Sequence, residues 1–138
     1  MEVNGKRVLI VEDEFLVALS LQDHLASLGC LVIGPVTTLA AAIQVAESET
    51  VDVAILDVNL RGEMVFAAAD ILVERGVPII FCSGHLANAQ FPERHSDHMR
   101  VPKPYTAGMI VAALKDVLAE VDEFDADQHS GSPPNMSA

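Results

Sequence analysis

The stretch Val53-Ala-Ile-Leu-Asp-Val-Asn-Leu60 decides how this chain folds. Four apolar residues in succession describe a strand covered on both faces, because a strand with one wet face alternates apolar and polar positions. The run nevertheless ends on a carboxylate, Asp57. Comparable apolar runs stand at Arg7 to Val11, Leu31 to Ile33, Ile79 to Cys82 and Met99 to Val101. Helical spacing fills the intervals. Val17, Leu21, Leu25 and Leu28 mark a helix from Glu14 that Gly29 ends. Thr37 or Thr38 caps a second, running to about Ser48, and a third lies near Met64 to Glu74. Thr106 caps a last helix with Ile110, Leu114, Val117 and Val121 on one face. From Leu86 to Asp97 the period is lost around Pro92, which predicts a short or irregular fourth helix.

Strands that alternate with helices demand a mostly parallel sheet with helices on both faces, since each crossover is right-handed and must cover a face. The expected fold is therefore a flavodoxin-like, doubly wound α/β domain with five parallel strands in the order 2-1-3-4-5. The expected domain covers residues 1–121. Residues 122–138, DEFDADQHSGSPPNMSA, are acidic and then rich in Ser, Gly and Pro, and read as a flexible tail.

Composition narrows the function. The chain has 138 residues, 51% of them apolar, enough for one ordinary core. Eight basic against twenty acidic residues leave a net charge of −12, which argues against nucleic acid or an anionic membrane as partner. Cys30 and Cys82 lie in apolar stretches without ligand-like spacing, the pattern of reduced core thiols in a cytoplasmic protein. No amino-terminal run is long enough to span a membrane.

In doubly wound sheets ligands gather at the carboxyl ends of the strands, where the strand order reverses. Glu12 and Asp13 close the first strand and Asp57 the third, so three acids converge there. Two carboxylates about 4 Å apart repel by roughly 4 kcal/mol at an effective dielectric near 20, so such a cluster holds protons or recruits a cation. Oxygen ligands with room for water suit Mg²⁺. Ser83, after the fourth strand, offers a hydroxyl, and Lys103, after the fifth, an ammonium. Together they suit a phosphoryl group whose covalent acceptor is the carboxylate of Asp57.

VLIVEDE, LDVNLRGE, FCSG and PKPY, in that order and at those strand ends, resemble receiver domains of two-component response regulators over residues 6–121. The resemblance implies Asp57 as phosphoacceptor, Glu12 and Asp13 as acidic Mg²⁺ residues, and the Asn59 backbone carbonyl as a further metal ligand. It implies Ser83 as the switch hydroxyl, Lys103 as the phosphate-binding lysine, and a cis bond between Lys103 and Pro104. FCSGH also resembles the Phe-Ala-Thr-Gly-Tyr motif of a stand-alone bacterial subclass associated with HWE-type sensor histidine kinases. On this pattern Gly84 leaves access for the phosphodonor and His85 modulates the lifetime of the acyl phosphate. Arg100 stands where receivers usually carry an aromatic switch residue, a departure that leaves signal transmission open.

The expected function is that of a single-domain response regulator. It takes a phosphoryl group from a sensor histidine kinase onto Asp57 and changes its binding to a downstream protein, with Mg²⁺-dependent self-modification as its only catalysis. The short stretch after the last helix agrees with a stand-alone protein. A phosphorylation-independent docking module is the alternative. An aspartate-nucleophile phosphatase of the haloacid dehalogenase type is weaker, because its acid/base Asp would fall at Asn59. A zinc site from Cys82, His85, His95 and His98 has the spacing but lacks a second cysteine. Arg100 by itself reads as a solvated strand-end residue.

Overall fold

The computed structural model describes residues 3–84 and 91–131, with the backbone alone described from 122 onward. In chain order the elements are β1 (Arg7–Val11), α1 (Phe15–Ser27), β2 (Leu31–Val36), α2 (Leu39–Ser48) and β3 (Val53–Asp57). A two-residue ribbon, β4 (Asn59–Leu60) with β5 (Glu63–Met64), precedes α3 (Phe66–Glu74) and β6 (Ile79–Ser83). A single 3-10 turn at Glu93–His95 leads to β7 (Met99–Pro102) and α4 (Ala107–Gly131).

The main sheet has the order β2-β1-β3-β6-β7, and every neighbouring pair in it is parallel. Counting its five strands alone, that is the expected 2-1-3-4-5 arrangement. The period of two along each strand sorts the core into two layers. Leu9, Val11, Ala54, Leu56 and Phe81 pack with Ala42, Ala46, Ala68 and Leu72 of α2 and α3. Val8, Ile10, Val53, Ile55 and Ile80 pack with Leu21 and Leu25 of α1 and with Ile110 and Leu114 of α4. Both faces of β3 are thus covered, which is why VAIL reads as an unbroken apolar run.

The caps fall where the hydroxyls predicted them. Thr38 Oγ1 accepts from the Ala41 amide at 3.2 Å, and Thr106 Oγ1 from the Met109 amide at 3.2 Å. Two differences are informative. The helix expected from Met64 begins at Phe66, because Glu63 and Met64 pair antiparallel with Leu60 and Asn59. The last helix, expected to end near Val121, continues to Gly131, ten residues into the stretch read as tail. Its 25 residues span roughly 37 Å at about 1.5 Å each. Asp122, Glu123, Asp125, Ala126, Asp127 and Gln128 permit helix, and the first strong compositional stop is Gly131 followed by Ser132-Pro133. In the fourth-helix region the described part is irregular, the 3-10 turn being its only regular element, while residues 85–90 lie outside the described residues. Among the described residues no helix is long and apolar enough to cross a membrane.

Candidate functional site

Sheet register brings the predicted groups together. β3 and β6 pair with Asp57 opposite Cys82, and β6 and β7 with Ser83 opposite Pro102. The Lys103 amide donates to the Ser83 carbonyl at 2.9 Å and the Val58 amide to the Cys82 carbonyl at 3.0 Å, so the three strand ends are tied by backbone. An open cavity of about 500 Å³ lies over these ends, lined by Asp13, Glu14, Asp57, Arg61, Ser83 and Lys103 among others.

Within it, Lys103 Nζ donates to Asp57 Oδ2 at 2.9 Å and stands 3.5 Å from Glu12 Oε2 and 3.8 Å from Glu14 Oε1. Glu12, Asp13 and Asp57 each present an oxygen within 4.8 Å of the others. Asp57 is only 3% exposed and Glu12 1%. Burial pushes the Asp57 carboxyl up to about 7, against the Lys103 hydrogen bond that lowers it, and the charge of Glu12 pushes the same way as burial. Burial alone would lower the Lys103 ammonium, but the bond to Asp57 and the charges of Asp57, Glu12 and Glu14 outweigh it and hold it above its ordinary value. One ammonium therefore does not satisfy three acids. The remaining negative potential, the oxygen-only donor set and the water-sized space fit a hard divalent cation.

Three contributors escaped the sequence reading. Arg61, at φ 55° in the turn between β4 and β5, stands 3.6 Å from Asp13 Oδ2 and donates to the Asp13 carbonyl at 3.3 Å. Glu14 extends the acidic rim to Lys103. Tyr105 donates its hydroxyl to Glu12 Oε1 at 3.0 Å, and burial, with the charge of Glu12 adding to it, pushes the phenol above its ordinary value. VLIVEDE, LRGE and PKPY held these residues in plain view, but only chain folding shows which partner each meets. The Lys103-Pro104 bond is cis, as the resemblance implied, and so is Gly34-Pro35, which it did not indicate.

The other predicted residues are placed as follows. Ser83 lines the cavity and is buried, Gly84 beside it is exposed, and Asn59 lies on the cavity wall with its side-chain oxygen accepting from the Gly62 amide at 2.6 Å. His85 lies outside the described residues. Arg100 is more than a solvated strand end: its guanidinium stacks over the Phe91 ring at 3.8 Å. Phe91 in turn packs edge-on against Phe81 and Phe66, with centroids 4.9 and 5.2 Å away. An aromatic thus occupies this corner of the molecule, supplied by residue 91 rather than by residue 100. His95, 2% exposed, stacks on Phe66 and has its Nε2 2.8 Å from Asp70 Oδ1. Among the described residues the acids at 12, 13 and 57 are the only ligand cluster, so the histidines there gather no zinc-type set. Cys30 and Cys82 are both free and buried.

The response regulator receiver domain model matches residues 8–115. The chain belongs to the receiver domain family. As a receiver it is 36% identical to SdrG from Sphingomonas melonis Fr1, whose solution structure it matches with a TM-score of 0.67 over 83% of this chain and 98% of that one. Among curated proteins it is 29% identical to the phyllosphere-induced regulator PhyR of Methylorubrum extorquens over 80% of this chain. It is 27% identical to the transcriptional regulatory protein PdtaR of Mycobacterium tuberculosis over 88%. This receiver spans 43% of the length of PhyR and 60% of that of PdtaR.

Proposed function

We propose that this receiver accepts a phosphoryl group on Asp57 from the phosphohistidine of a sensor kinase and signals by altered protein binding. The observation that carries the reading is the meeting of Lys103 with Asp57 at 2.9 Å inside a cluster of three acids, under an open cavity. A carboxylate oxygen of Asp57 forms the new O–P bond as the N–P bond to the imidazole breaks, and the imidazole leaves with the electron pair and takes a proton. Mg²⁺, held by Glu12, Asp13, Asp57 and the Asn59 carbonyl, would supply positive charge to the phosphoryl oxygens. Lys103 adds a second cation that travels a short way from the carboxylate to the transferred group, and the Ser83 hydroxyl donates to one of its oxygens. The cavity is open enough to admit a donor side chain and water, so both gain and hydrolysis of the phosphoryl group can proceed there.

The stand-alone reading draws support from SdrG, since 98% of that solved chain is matched. An HWE-type kinase as donor rests on the FCSG motif, and the cytoplasm as compartment is supported by two cysteines that stay free and buried. Self-modification is the only catalysis proposed. The phosphatase reading loses ground because the amide of Asn59 cannot serve as a general acid or base and its side chain is bound into the turn at Gly62. The test is intact-mass spectrometry after incubation with Mg²⁺ and acetyl phosphate. One added phosphoryl group is expected on the wild type and none on Asp57→Asn or in chelator; an unmodified wild type would end the reading.

A further inference from the structure

Glu12 differs from the other acids of the cluster in how fully the protein holds it. Its Oε1 accepts from the Tyr105 hydroxyl at 3.0 Å. Its Oε2 accepts from the Glu14 amide at 3.1 Å and faces Lys103 Nζ at 3.5 Å. The side chain is 2% exposed, so water hardly competes for either oxygen. Tyr105 is itself held: it is half-buried and packs against the core layer that includes Ile10, Ile55 and Ile110. Glutamate at position 12 is one methylene longer than aspartate, and that length carries the carboxylate to the phenol.

We propose that Tyr105 is a positioning residue for the cation site, its hydroxyl locking one oxygen of Glu12 so that the other is presented to Lys103 and to the space shared with Asp13 and Asp57. The inference rests on the receiver reading above and names a residue that reading does not need. A hydrogen bond from a group on the β7–α4 connection thereby fixes a carboxylate on the β1–α1 connection, across 93 residues of chain. Without the bond, the carboxylate is free to turn toward Lys103 with both oxygens, and the set meeting a cation is no longer preorganised.

The protein carries its own reporter. It has one tyrosine and no tryptophan, so emission excited at wavelengths that phenylalanine does not absorb comes from Tyr105 alone. Titrating Mg²⁺ into the wild type should change that emission along the same binding curve that calorimetry records. Tyr105→Phe should weaken Mg²⁺ binding by about tenfold, the low end for a group that orients a metal ligand, while far-UV dichroism stays that of the wild type. In a Glu12→Asp background, where the shortened acid no longer reaches the phenol, Tyr105→Phe should cost nothing further, and the emission of Tyr105 should stop responding to Mg²⁺. This second variant separates positioning from a mere loss of packing, which would lower affinity equally in both backgrounds. Equal Mg²⁺ affinity of the wild type and Tyr105→Phe overturns the positioning role and leaves the receiver reading standing. Absence of Mg²⁺ binding by the wild type overturns both.

Discussion

Replacing Asp57 by Asn should stabilise the metal-free protein at neutral and alkaline pH. In the fold the Asp57 carboxyl is pushed from 3.8 up to about 7, chiefly by burial, so its anion is costly there. A carboxyl whose folded value is raised gives its full stability below about pH 4, and that stability is lost as pH rises to about 7. The difference of roughly three pH units, at about 1.4 kcal/mol each, sets an upper bound of about 4 kcal/mol. The cavity is open to water, and relaxation of such a site reduces the figure to about 1–2 kcal/mol. Asn keeps the shape, and its amide oxygen still accepts from Lys103. At pH 8 in chelator, thermal melts followed by circular dichroism should therefore place Asp57→Asn above the wild type by about 3–8 °C. The gap should widen between about pH 4 and 7 and stay constant above. Millimolar Mg²⁺ should close it by raising the wild type alone, because only a ligand that binds the folded state with the acid present stabilises it. A variant less stable than the wild type at pH 8 in chelator would refute the reasoning, since the Lys103 ion pair would then outweigh the burial of the acid.

Lys103→Met should leave Mg²⁺ binding intact or tighter, because one competing cation is gone from the acids, yet slow phosphorylation by acetyl phosphate by about tenfold or more; initial rates by mass spectrometry at saturating Mg²⁺ check both. Asp70→Ala should destabilise the protein by about 1–3 kcal/mol in urea titrations, because it strips the buried His95 ring of its Nε2 partner, and among the described residues Nδ1 has none. Asp70 is held below the ordinary carboxylate range first by its Arg94 hydrogen bond, so its contribution is present above about pH 4 and fades as pH falls further. The mutant penalty should shrink accordingly in the same titrations at acid pH.

The segment from Phe91 to Arg100 was the least legible part of the chain. Pro92 and a run of charged and histidine residues conceal the fact that Phe91, Phe81 and Phe66 form one aromatic group with His95 against it. Nothing local to Arg100 shows that it stacks on Phe91, because nine residues of chain must first double back. The early start of the predicted third helix has the opposite origin. Glu63 and Met64 suit a helix by themselves, and only pairing with the residues after Asp57 makes them a ribbon.

By itself the sequence determined which residues are strand and which are helix over most of the chain, and that the sheet is parallel and covered on both faces. Those properties follow from the spacing of apolar side chains, which must be buried whatever lies opposite them. It also placed Asp57, Ser83 and Lys103 at strand ends, because a charged or hydroxyl side chain terminates an apolar run. Tertiary structure alone decided the partners: that Tyr105 bonds Glu12, that Arg61 reaches Asp13, and that Lys103 is shared among three acids. Hydrogen bonds and ion pairs depend on distances of a few ångströms between residues tens of positions apart, and such distances exist only once strand register and loop geometry have fixed both ends.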